Sequence, residues 1–79
     1  MPSIKFKGFS EYHSRNIVSV TFSDTFEKTK FEVNFNMQYR SGTVQAEPDR
    51  NNNLTVNITY TDEVSEEKLR EVINALLQK

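Results

Sequence analysis

The side chains with the most chemical potential are few and scattered. His13 is the only histidine of the chain, and Glu11, Tyr12, Ser14 and Arg15 surround it. A histidine metal pair or a nucleophile–base–orienter triad would rest on that one imidazole, and no motif accompanies it, so it reads as a solvated loop side chain. The chain has no cysteine, which excludes disulfides, thiolate metal sites and a cysteine nucleophile. Asp62, Glu63, Glu66, Glu67 and Glu71 crowd a short segment but lack the Asp-x-Asp-x-Asp-Gly order of a calcium loop. They suit a helix start, where the dipole favours anions. Gly8 and Gly42 are isolated, so no glycine-rich turn cradles a phosphate. Asn53-Leu54-Thr55 and Asn57-Ile58-Thr59 match a glycosylation acceptor by letter only, an outcome of alternating Asn and Thr. The expectation is therefore no catalytic residue, no metal, no cofactor and no enzyme.

What remains is recognition chemistry. Phe9, Tyr12 and Arg15 cluster within seven positions, and aromatic and arginine side chains are the residues that anchor interfaces. Amides and hydroxyls recur at regular spacing, and they exchange hydrogen bonds without the desolvation cost of full charges.

The elements that must carry these groups follow from hydrophobic period. Residues 31–40 place Phe31, Val33, Phe35, Met37 and Tyr39 in alternation with Glu32, Asn34, Asn36, Gln38 and Arg40. Period two predicts a strand with one wet face. Residues 54–61 alternate in the same way, with Thr55, Asn57 and Thr59 outward. Residues 17–22 and 3–9 read as two earlier strands, joined by a polar connection over 10–16. A bend at residues 23–25 then brings Phe26 back before a turn at 27–30. Residues 43–47 form a hairpin partner of the 31–40 strand across a turn at Gly42, and Pro48 ends it. The period then changes: Leu69, Val72, Ile73, Leu76 and Leu77 fall at i, i+3, i+4, i+7 and i+8, one stripe of a helix. Ser65 is its N-cap, Val64 and Leu69 have staple spacing, Glu66 and Arg70 pair at i, i+4, and Lys79 complements its C-terminal end.

This pattern predicts an α+β fold: an antiparallel β-meander of four to five strands followed by one C-terminal α-helix packed on one sheet face. The 79 residues make one domain, 1–79, with 35% hydrophobic and 27% charged side chains. Five strands span roughly 24 Å, whereas one helix covers about 10 to 12 Å. A homodimer is expected, closing the uncovered part of the sheet. Without an apolar leader-like run or a membrane-length stretch, a cytoplasmic protein without membrane contact is expected.

The outward face then collects Lys5, Lys7 and Phe9, Ser19 and Thr21, Glu32, Asn34, Asn36, Gln38 and Arg40, and Thr55, Asn57 and Thr59. The expected function is a small non-enzymatic interaction protein, an inhibitor, adaptor or accessory subunit. It binds a protein partner through the polar sheet face and the adjoining loop, using Phe9, Tyr12, Arg15, Asn34, Asn36, Arg40 and Asn57. The strand-then-helix order with a dimer is also similar to the arrangement of PC4-like single-strand DNA binders. In that alternative, a single-strand nucleic-acid binder, Phe9 stacks on a base while Lys5, Lys7, Lys28, Lys30 and Arg40 track phosphates. The likeness to PC4-like proteins is one of element order alone. The net charge of −1 weighs against nucleic acid as the partner.

Overall fold

A computed structural model describes residues 2–12, 14–39 and 44–78. Two strands come first, β1 (Ser3–Ser10) and β2 (Arg15–Thr21), then helix α1 (Thr25–Gln38). Strands β3 (Val44–Pro48) and β4 (Thr55–Tyr60) follow, and helix α2 (Glu66–Leu77) ends the chain. The four strands form one antiparallel sheet in the order β1-β2-β4-β3, so the fold is α+β.

The largest departure from the sequence expectation is residues 31–40, read as a strand but folded as the second half of α1 up to Gln38. The physical reason lies in the period itself. Two residues advance a helix by about 200°, so an alternating apolar pattern splits into two i, i+4 stripes on opposite helix faces. Phe31 and Phe35 form the buried stripe and pack in series with Phe22 and Tyr39, ring centroids 5.2 to 5.9 Å apart. Val33 and Met37 form the other stripe and are exposed. Residues 23–25 are not a bend between strand halves but the helix start. Asp24 is the N-cap, and its Oδ1 accepts from the Glu27 N–H at 2.8 Å. The Asp24-x-x-Glu27 spacing of a capping box was legible and outweighs the alternation.

With α1 present, β3 loses the neighbour expected at 31–40 and is an edge strand. It keeps only its pairing with β4, in register Val44↔Tyr60, Ala46↔Ile58 and Pro48↔Val56, while β4 takes β2 as its other neighbour. The expected turn at 40–43 lies outside the described residues.

One face of the sheet carries the core. Ile4 and Phe6, Val18 and Val20, Val56, Ile58 and Tyr60, and Val44 and Ala46 meet Phe31 and Phe35 of α1 and Leu69, Ile73 and Leu76 of α2. The two helices together close that face, and Val18, Val20, Val56, Ile58, Phe35 and Ile73 are fully buried. Two helices rather than one cover the sheet, so the width mismatch behind the expected dimer is absent among the described residues. α2 begins as its sequence predicts: Ser65 Oγ accepts from the Lys68 N–H at 3.1 Å. Glu66 pairs with Arg70 at 3.4 Å, and the Arg70 guanidinium lies 4.5 Å over the Phe6 ring. Lys79, expected at its end, lies outside the described residues.

Candidate interaction face

The other sheet face carries no helix, and its rows follow directly from the strand register. Lys5, Ser19, Asn57 and Glu47 form one row, Ser3, Thr21 and Thr55 a second, and Ile17, Thr59 and Gln45 a third. Although no secondary-structure element covers them among the described residues, Ser19, Thr55 and Thr59 are each no more than 5% exposed. Their polar groups are accordingly paired. Thr21 and Thr55 hydroxyls share a hydrogen bond at 2.9 Å, and Ser19 Oγ donates to Asn57 Oδ1 at 2.8 Å.

Asn57 passes this network to the loop after β3. Its Nδ2 donates to Asp49 Oδ2 at 3.0 Å, while Asp49 Oδ1 accepts from the Asn51 N–H at 2.7 Å. Those two donors, the Asn51 N–H first, hold the Asp49 carboxyl below its ordinary value of 3.8, with the positive charge of Lys7 adding to them against a cost of burial. The loop is closed on itself by Asp49 N to Thr55 O at 3.0 Å and Leu54 N to Asn52 Oδ1 at 2.9 Å. Polar groups that are already paired stay in position when a partner arrives, so the face is preorganised.

A shallow concavity of about 440 Å³ opens on this side. Asn57, Glu47 and Pro48, and the loop residues Asp49, Arg50 and Asn51 line it, with Tyr12 at its border. Tyr12 projects from the β1–β2 turn and is 84% exposed. Arg15, at the foot of the same turn, sends Nη2 to the Thr59 carbonyl at 3.2 Å, so it braces β4 across the sheet.

The structure separates the residues that sequence reasoning grouped together. Tyr12, Arg15 and Asn57 belong to the open face. Phe9 does not: a bulge between Phe6 and Gly8 shifts the register by one, so Phe9 pairs with Asn16 and leaves the row of Lys5 and Lys7. Gly8 makes this possible with a positive φ of 81°. Asn34 and Asn36 are on α1, behind the sheet, because residues 31–38 are helical; so are Glu32 and Gln38. Asn34 lines a separate groove of about 220 Å³ between α1 and the end of α2, with Phe22, Phe31 and Leu76. Arg40 and His13 lie outside the described residues. Sequence reading missed Glu47, Asp49, Arg50 and Asn51 as wall residues. Pro48, Asp49 and Asn51 to Asn53 are turn formers by type, but nothing local says that the turn folds toward Asn57.

Comparisons with protein-family models, with curated proteins and with solved structures found no match. Among the described residues no group of three or more His, Asp or Glu side chains could hold a metal ion. No described helix is long and apolar enough to cross a membrane. Tyr60, whose hydroxyl is pushed above its ordinary value by burial and by Glu66 and Asp62, sits on the helix side of the sheet, away from the concavity.

Proposed function

We propose that this chain is a small non-enzymatic interaction protein that binds a protein partner on its open sheet face, with Tyr12 as the anchor. The observation that carries the reading is the pairing of a highly exposed aromatic ring with a preformed polar wall across one concavity. A tyrosine supplies contact area and a hydroxyl at little entropic cost, which is why it is enriched at interface centres. Asn57 is held by the buried Ser19 and by Asp49, and Asn57 and Asp49 offer directional contacts around Tyr12.

The electrostatics favour a protein over a single-stranded nucleic acid. Glu47 and Asp49 put two carboxylates in the concavity against the single guanidinium of Arg50, so its lining is net negative and disfavours a phosphate chain. The donors to Asp49 argue against general-base work, for which the carboxyl would need a value raised toward neutrality.

Affinity capture from the native host, with nuclease-treated and untreated arms, tests the reading. Tyr12→Ala should weaken binding of the captured protein at least about fivefold, a cost of about 1 kcal/mol. Asn36→Ala, behind the sheet, should leave it unchanged. Equal binding by Tyr12→Ala and the parent, or retention that disappears with nuclease, would overturn the reading.

A further inference from the structure

Glu47 and Asp49 converge on one point of the open face. Glu47 of β3 stands directly across from Asn57 of β4, where paired side chains lie about 5 Å apart. Asp49 reaches the same amide from the loop, its Oδ2 accepting from Asn57 Nδ2 at 3.0 Å. Ser19 already donates to the oxygen of that amide at 2.8 Å. What an incoming molecule meets beside Asn57 is therefore a pair of carboxylates, groups that accept hydrogen bonds and donate none.

We propose that the open face receives an arginine side chain of its protein partner, the guanidinium stacked on the Tyr12 ring and hydrogen-bonded to the carboxylates of Glu47 and Asp49. This inference rests on the reading of the face as a protein-binding surface and supplies the chemistry of what binds there.

Charge is the first reason. Glu47 and Asp49 outnumber Arg50 in the lining, so a cation gains where a phosphate or a carboxylate would lose. Arg50 is exposed on the loop, and Lys7, outside the lining, acts on Asp49 less than the hydrogen bonds from Asn51 and Asn57 do. The excess negative charge stays local.

The ring is the second reason, and it separates arginine from lysine. Tyr12 borders the same concavity and is 84% exposed. A planar guanidinium stacks on an aromatic face while the N–H groups at its edge still reach carboxylates. A lysine ammonium has no plane to stack and holds its water more tightly. The fold contains this constellation once within itself: the Arg70 guanidinium lies 4.5 Å over the Phe6 ring and reaches Glu66 Oε1 at 3.4 Å.

Preorganisation is the third. The Asn51 N–H and Asn57 Nδ2 fix the Asp49 carboxylate before any partner arrives, so little ordering cost remains for it. The concavity is open, and one side chain alone binds it weakly, as an anchor within a larger interface.

Two peptides test the proposal by heteronuclear NMR on the full chain: acetyl-Gly-Ser-Arg-Ser-Gly-amide, and its counterpart with citrulline, which keeps the shape of arginine and lacks the charge. The arginine peptide should shift the backbone amides of Tyr12 and Asn51 and the side-chain amide of Asn57, with a dissociation constant on the order of 1 to 10 mM. Citrulline should bind at least about fivefold more weakly, because its hydrogen bonds are no longer charge-assisted. Tyr12→Ala and Glu47→Gln should each weaken the arginine peptide by about three- to tenfold, and Glu47→Gln leaves the hydrogen bonds of Asp49 in place. Equal binding of the two peptides, no shift at these three positions up to about 20 mM, or full binding by Glu47→Gln would overturn the proposal. A captured protein partner that is weakened by Tyr12→Ala but not by Glu47→Gln would leave the tyrosine anchor standing and remove the arginine.

Discussion

Phe35 and Met37 stand two residues apart on α1 and face opposite ways, the first fully buried among the core rings and the second 70% exposed. Their responses to truncation should diverge accordingly. Phe35→Ala should cost about 3 to 5 kcal/mol, whereas Met37→Ala in dilute solution should stay within about 0.5 kcal/mol. Urea midpoints for the two variants check this. Comparable losses would put both side chains on one buried face, as in a strand.

The stripe of α2 is held by the same core. Ile73 is fully buried and Leu76 nearly so, and a 12-residue helix is marginal in water without such packing. Ile73→Ala and Leu76→Ala should each remove about 2 to 5 kcal/mol, a large share of the stability of so small a chain. Chemical denaturation at constant slope measures it.

Gly8 tests backbone rather than packing. A Cβ added there meets nothing within 4 Å, but the φ of 81° is one that L-residues adopt at a cost. Gly8→Ala should destabilise by about 1 to 2 kcal/mol, and Gly8→Asn by less, since a short amide tolerates the left-handed region. If alanine costs nothing in thermal unfolding, the bulge relaxes and the register of residues 9 and 10 with it.

Asp49 gives a pH signature. Its carboxyl is depressed in the folded state, so its contribution is present above the unfolded value near 3.8 and is lost as pH falls through the lower folded value. The stability difference between the parent and Asp49→Asn should be constant above about pH 5 and shrink below about pH 4. Unfolding free energies measured from pH 2.5 to pH 6 would reveal it. A difference that grows on acidification has the wrong sign and would mean that the hydrogen bonds from Asn51 and Asn57 do not stabilise the carboxylate.

Local pattern was sufficient wherever one period had one reading. Residues 17–22 and 54–61 alternate with β-branched residues and are β2 and β4 within two residues at either end. The i, i+3, i+4 stripe after Ser65 is α2 with its cap in place. Face parity then assigned Ser19, Thr21, Thr55, Asn57 and Thr59 to the open side, because side chains alternate strictly in a strand. Tertiary structure decided the rest. The alternation over 31–39 fits a strand with one apolar face or a helix with two; the Asp24 cap is a local signal for the helix, and the space above β3 and β4 lets Phe31 and Phe35 bury. That choice moved Asn34 and Asn36 behind the sheet, supplied the second cover for the core and created the outer stripe. Phe9 changed rows because one extra residue at a positive-φ glycine reverses parity beyond it. The wall at 47–51 depends on the contact of Asp49 with Asn57 across 8 residues, a pairing made by the folded loop and by no pattern within it.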